Sequence, residues 1–100
     1  MCIRDRVYAA SKSALIGFTK SLSRELGKAN ITVNSISPGY MDTDMTQKIN
    51  AENLAKVIRR SPMNKLASLS DVASAIIYLL SNESQSITGI NLTIDAGSTS

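Results

Sequence analysis

The chain has 100 residues, 43% of them apolar, and 11 Lys and Arg against 8 Asp and Glu give a net charge of +3. That length admits one domain with a modest core, burying a little over about 60% of the surface its unfolded form exposes. One cysteine and no histidine leave no thiol pair and no Cys/His zinc site. The charges are interspersed rather than blocked, and three tyrosines with one phenylalanine are too few for the stacking platform of a nucleic-acid surface. No apolar run approaches the roughly 18 residues of a membrane span, so the expected location is the cytoplasm.

Tyr8 and Lys12 stand one helical turn apart at the start of a helical run. Their side chains therefore project from the same face and lie within reach of each other. A free phenol titrates near pH 10, roughly three units from neutrality, whereas a fixed cation nearby favours its anion. A tyrosine placed this way can give a proton to a carbonyl oxygen or take one from an alcohol. The plain alternative is a ring at the edge of a core beside a solvated charge.

From residue 8 to about residue 29, Leu15, Phe18, Leu22 and Leu26 recur at three- and four-residue steps, which predicts an amphipathic helix of roughly six turns. Asn30 is placed to stop it, because Asn tolerates the left-handed conformation of a C-terminal cap. Lys20, Arg24 and Lys28 form a ridge along this helix that suits either an acidic partner or plain solvent. Residues 31–37 read as a strand through the β-branched Ile31, Thr32, Val33 and Ile36. Pro38 and Gly39 end it. A strand running into a Pro-Gly loop ahead of a helix is where open α/β sheets place ligands, although the pair also makes an ordinary turn. Asp42, Thr43 and Asp44 open the next short helix, the acids being favoured there by the helix dipole. The two Asp lack a third type of metal ligand nearby.

Residues 46–61 carry a narrow apolar stripe of Leu54, Val57 and Ile58, with Glu52 and Lys56 as a charge pair, and predict a second short helix. Ser68 and Asp71 resemble a capping box in its acidic form, opening a helix that ends near Ser81 and buries Val72, Ala75, Ile76, Leu79 and Leu80. Thr88 and Gly89 then lead into an apolar/polar alternation over residues 90–95, a half-buried strand. Ala96 and Gly97 close it, and residues 98–100 read as a frayed tail. The expected class is α/β, in the order helix, strand, short helices, helix, strand, with the strands parallel across a right-handed crossover. Two parallel strands without neighbours are marginal, so the first is expected to pair also with a strand that this chain lacks.

Tyr8-x-x-x-Lys12, then Ala14-Leu15-x-x-Phe18-Thr19-x-x-Leu22-x-x-Glu25-Leu26, then Ile31-Thr32-Val33-Asn34-x-x-x-Pro38-Gly39, resembles the short-chain dehydrogenase/reductase family in order and spacing over residues 7–97. The resemblance implies the C-terminal part of a Rossmann-like doubly wound parallel sheet, cut from a longer enzyme domain just ahead of its active tyrosine. Residues 1–6 match nothing in that family and read as a non-native or spurious leader, too short and too charged for a signal peptide. The domain is then residues 7–97.

By the same resemblance, Tyr8 protonates a substrate carbonyl oxygen while hydride leaves NADH or NADPH, with NADPH favoured. Lys12 supports the tyrosine and holds the nicotinamide ribose hydroxyls. Pro38, Gly39, Tyr40, Met41, Asp42 and Thr43 are similar to the family's nicotinamide-binding loop, in which the Met41 backbone meets the carboxamide and the Thr43 hydroxyl contacts the carboxamide or the diphosphate. Residues 46–61 correspond to a flexible lid. The wording of residues 8–20, 42–46 and 86–89 is most similar to the 3-oxoacyl-[acyl-carrier-protein] reductases of fatty acid synthesis, with sugar, polyol or hydroxysteroid dehydrogenases as the alternatives. That implies a carbonyl substrate carried on acyl carrier protein and a homotetramer. The glycine-rich phosphate loop, the selector between NAD and NADP, and the catalytic serine and asparagine have no counterpart here, so the isolated fragment is expected to be inactive. Where this chain has Ala96-Gly97, the family often has two glycines. A noncatalytic assembly fragment is the alternative of another class.

Overall fold

The computed structural model describes residues 3–41 and 50–99. Helix α1, Ile3–Leu26, leads, followed by a single 3-10 turn, Gly27–Ala29, and strand β1, Ser35–Pro38. Helices α2, Ala51–Arg60, and α3, Leu69–Leu79, precede a second 3-10 turn, Asn82–Ser84, and strand β2, Asn91–Ile94. The two strands pair in parallel with Ser35 opposite Asn91 and Pro38 opposite Ile94. This is the α/β order the sequence predicts. Met1, Cys2 and Ser100 lie outside the described residues, as does the predicted helix start at Asp42, Thr43 and Asp44.

Helix α1 begins five residues ahead of Tyr8, inside the stretch read as a leader. Residues 3–6 contain no Pro or Gly to break a helix, and Asp5 in the first turn faces the positive end of the helix dipole. The other end behaves as expected. Asn30 adopts the left-handed conformation at φ 60° and ψ 37°, its N–H donates to the Gly27 carbonyl at 3.0 Å, and the Ile31 N–H donates to the Leu26 carbonyl at 3.3 Å. Asn50 caps α2 by accepting from the Asn53 N–H at 2.8 Å, and the Ser68 hydroxyl caps α3 by accepting from the Ser70 N–H at 3.2 Å.

The face that α1 buries is not the one its leucines outline. Thr19 and Ser23 are buried, whereas Phe18 is 62% exposed and Leu15 is also exposed. Burial of two hydroxyls is tolerated because each donates to its own helix, Thr19 Oγ1 to the Leu15 carbonyl at 2.8 Å and Ser23 Oγ to the Lys20 carbonyl at 2.7 Å. Their small size lets the helix approach Gly89, where an added Cβ would lie 2.7 Å from Ser23 Oγ, at a φ of +75° that favours glycine in any case. On α3 the predicted apolar face is likewise only half covered, with Leu80 at its C-cap 82% exposed.

Strand β1 is shorter than the predicted residues 31–37, since the ladder to β2 starts only at Ser35. Residues 33 and 34 are nonetheless tied down. The Gly89 N–H donates to the Val33 carbonyl at 2.8 Å, and the Val33 N–H donates to Thr88 Oγ1 at 2.9 Å. Asn34 then clamps both sides of residues 88 and 89: its Nδ2 donates to the Ile87 carbonyl at 3.1 Å, and its Oδ1 accepts from the Ile90 N–H at 3.2 Å. One amide thus extends the parallel pairing below the regular ladder. Residues 98 and 99, in the stretch read as a tail, fold back onto Asp95.

Ala67 is the only buried hydrophobic side chain among the described residues. The Cα radius of gyration, 15.8 Å, exceeds the roughly 13 Å of a compact domain this long. Much of the apolar surface of α1 and α3 is therefore left uncovered among the described residues. The isolated 100 residues are expected to show no cooperative heat-absorption peak by calorimetry at micromolar concentration, and to bind a hydrophobic dye; a sharp transition would contradict this.

Candidate active site

Tyr8 and Lys12 occupy adjacent turns near the start of α1, where the helix lies beside the carboxyl end of β1. They open onto a cavity of about 570 Å³ that also includes Pro38, Gly39, Arg60 and Asp95. Tyr8 is 68% exposed, so its phenol is open to a ligand, while Lys12 is half-buried. Ser35 Oγ and Ser37 Oγ both donate to Asn91 Oδ1, at 2.8 and 3.0 Å, which orders the face that Ser37 presents to the cavity.

The structure brings together Tyr8, Lys12, Pro38, Gly39 and Tyr40 of the residues singled out for the site in the sequence. The backbone of Met41 forms a parallel bridge with Ala67, and the Ala67 N–H donates to the Tyr40 carbonyl at 3.0 Å. This anchors the loop as it leaves β1. Thr43 lies outside the described residues. Lys20 and Arg24 are exposed further along α1, and Lys28 is exposed in the 3-10 turn that follows it.

Sequence reasoning passed over Asp95. It follows the last residue of β2, and its carboxylate is fixed by its own turn: Oδ1 accepts from the Gly97 N–H at 2.9 Å, and Oδ2 from the Thr99 N–H at 3.0 Å and the Thr99 hydroxyl at 2.6 Å. The Thr99 hydroxyl is the largest influence holding the carboxyl below its ordinary value. Burial opposes this, and the Gly97 and Thr99 N–H groups and the Lys12 ammonium reinforce it. Ala96 beside it has a φ of 56°, a conformation that explains why glycine suits this position. Gly39 is required for a different reason. A Cβ there would stand 2.5 Å from Asp95 Cβ, so the Pro-Gly turn is set by the approach of one strand end to the other. A signal for Asp95 did exist in the sequence, since ligands of parallel sheets sit outside the carboxyl ends of the strands and both strands end here.

A family model described as "Enoyl-(Acyl carrier protein) reductase" matches residues 2–99. The chain belongs to the short-chain dehydrogenase/reductase family, a family of oxidoreductases. The matched span takes in most of the segment read as a leader. The chain is 41% identical over 90 residues to the 3-oxoacyl-[acyl-carrier-protein] reductase FabG of Salmonella typhimurium, covering 90% of this chain and 37% of the relative. It is 40% identical over 90 residues to the FabG of Escherichia coli, with the same coverage of 90% and 37%. Among solved structures of this family, a 4-hydroxyisoleucine dehydrogenase complexed with NADH superposes with a TM-score of 0.80 at 41% identity, over 92% of this chain and 39% of that one. A short chain dehydrogenase family protein from Francisella tularensis gives a TM-score of 0.79 at 36% identity, over 92% and 43%. The chain thus spans about 37% of the length of the curated relatives it matches.

Two outcomes are expected in a full-length chimera joining residues 7–100 to the N-terminal part of the Salmonella reductase. Gly39→Ala costs about 1–3 kcal/mol through overpacking against Asp95, read as a fall of several degrees in melting temperature; an unchanged midpoint would contradict the close approach. Asp95 has a folded value depressed below 3.8, so its contribution is complete above that pH and is lost as pH falls through the lowered value. Melting temperatures of the wild-type chimera and of Asp95→Asn therefore converge as the medium is acidified below about pH 4, and parallel curves would refute it.

Proposed function

We infer that this chain supplies the proton-transfer and nicotinamide-facing half of an NAD(P)-dependent oxidoreductase acting on a carbonyl or alcohol. The observation that carries the reading is that Tyr8 and Lys12 share one cavity with Pro38 and Gly39 at the carboxyl ends of two parallel strands, in a chain of this family. The residues suit the nicotinamide riboside end of a dinucleotide. The cavity offers one ammonium and several hydroxyls for ribose oxygens, beside a turn where two backbones pack at van der Waals distance.

When bound, the nicotinamide accepts or delivers hydride. Tyr8 supplies the matching proton: its O–H donates to the carbonyl oxygen as that oxygen gains negative charge, and in oxidation its oxygen takes the alcohol proton. Lys12, one turn on, presents three donors; one steadies the phenolic oxygen electrostatically while others hold ribose hydroxyls. Pro38 and Gly39 bring the chain to Met41 and Thr43, the proposed contacts of the carboxamide and diphosphate.

The substrate class favoured by the relatives is a 3-oxoacyl group on acyl carrier protein; NADPH as reductant rests on the family resemblance alone, a solved relative being complexed with NADH. The exposed basic ridge of Lys20, Arg24 and Lys28 offers an acidic carrier a complementary surface, and assembly as a homotetramer would cover the bare apolar faces of α1. Residues 1–6 are proposed as non-native, with residues 7–97 as the domain portion.

The chimera is expected to reduce a 3-oxoacyl substrate with NADPH, and Tyr8→Phe, which keeps the ring and removes the proton, should lower kcat by about 10²–10⁴-fold. Activity indifferent to Tyr8→Phe would favour a noncatalytic assembly role. Activity confined to sugars, polyols or steroids would move the substrate assignment and leave the mechanism.

A further inference from the structure

We propose that Ser37 is a further coenzyme contact of this cavity and Asn91 its positioning residue: the Asn91 amide takes the Ser37 proton, so the hydroxyl offers the cavity only an acceptor, matched to a donor on the nicotinamide riboside. The identity of the ligand rests on the oxidoreductase reading above.

The first observation is a departure from pattern. Strands of a parallel sheet are normally apolar on both faces, and sequences break such local rules mainly at functional sites. In β1 and β2, Ile36, Leu92 and Ile94 alternate with Ser35, Ser37, Asn91 and Thr93. Ser35 stands opposite Asn91 and Ser37 opposite Thr93, so these polar side chains share one face of the ladder.

The second is the direction of two hydrogen bonds. Ser35 Oγ and Ser37 Oγ donate to the same Asn91 Oδ1, at 2.8 and 3.0 Å. A hydroxyl has one proton and two lone pairs, and Ser37 has committed its proton to Asn91. Only its lone pairs are left for a ligand. Among the described residues nothing donates to them.

The third is place. Ser37 borders the cavity of Tyr8 and Lys12, and also a narrower cleft of about 270 Å³ between α1 and β1, where Lys12 is again a neighbour. It directly precedes Pro38 and Gly39, at the point where the ladder gives way to the proposed nicotinamide loop. A nicotinamide riboside carries donors of two kinds, its ribose hydroxyls and its carboxamide N–H groups, and a fixed acceptor suits either. Lys12 has donors and no acceptor. The two side chains are therefore complementary: the ammonium can bind ribose oxygens, and the serine can take a proton that the lysine cannot.

The test uses the full-length chimera and reads binding, as the NADPH dissociation constant from titration of the reduced nicotinamide's fluorescence. Ser37→Ala removes the acceptor and should weaken binding about threefold to tenfold, the worth of one neutral hydrogen bond. Asn91→Leu keeps the approximate shape of the amide and lets the Ser37 hydroxyl rotate. It should weaken binding as well, and the double variant should bind no worse than Ser37→Ala, because Asn91 acts through that hydroxyl. A residue pair that only staples the two strands would lower the melting temperature and leave the dissociation constant of Ser37→Ala unchanged, which overturns the contact. Losses that add in the double variant overturn the positioning role. Ser37→Ala alone decides the contact if Asn91→Leu does not fold.

The reduced acetylpyridine analogue of NADPH lacks the carboxamide N–H groups and identifies the donor. Equal weakening of both coenzymes by Ser37→Ala assigns a ribose hydroxyl, and weakening of NADPH alone assigns the carboxamide. A chimera that binds coenzyme yet reduces no carbonyl removes the proposed reaction and leaves this contact standing. An unmoved dissociation constant in Ser37→Ala does the reverse, and a chimera with no coenzyme affinity overturns both.

Discussion

The arrangement depends on how closely two parallel strands approach at their carboxyl ends. At Gly39 the backbone leaving β1 lies against Cα and Cβ of Asp95, and no other residue type fits without pushing the strands apart. Behind that contact the ladder runs from Ser35 to Pro38, and ahead of it the chain turns toward Met41 and the bridge to Ala67. The same contact sets the Asp95 carboxylate and the Pro-Gly turn on the cavity that Tyr8 and Lys12 also line. A local steric constraint in the sheet is thereby also the constraint that shapes the cavity.

Polar contacts carry much of the internal order of this chain. Asn34 clamps the two sides of residues 88 and 89, Asn91 gathers two serine hydroxyls, and Asp95 gathers two N–H groups and a hydroxyl. Such bonds specify geometry well but add only about 1 kcal/mol each to net stability. Hydrophobic burial supplies the bulk of folding free energy in globular proteins, and the apolar faces of α1 and α3 are at most half covered among the described residues. The pattern is that of a well-specified polar site on a frame with little buried apolar surface among the described residues. No helix among the described residues is long and apolar enough to cross a membrane.

Much of this was legible in residue order. The left-handed stop at Asn30, the cap at Ser68, the alternation into β2 and the shared face of Tyr8 and Lys12 follow from local rules, because each depends on neighbours within one or two turns. Three features were not legible. The buried side of α1 is Thr19 and Ser23 rather than Leu15 and Phe18, since which side of a helix is covered depends on what packs against it. Helix α1 starts at Ile3, because nothing in residues 3–6 interrupts it, although those residues were read as a leader. Asp95 passed as the end of a strand, because its meaning lies in Gly39, distant along the chain.

What the sequence by itself determined is the set of elements, their order and the pairing of a phenol with an ammonium one turn away. Hydrogen bonds and side-chain periods of local range suffice for that. What only the tertiary structure decided is which strand ends touch, which helix face is covered and which carboxylate borders the cavity. These are contacts between distant parts of the chain, and they come into being only when the parallel crossover brings both strand ends beneath the start of α1.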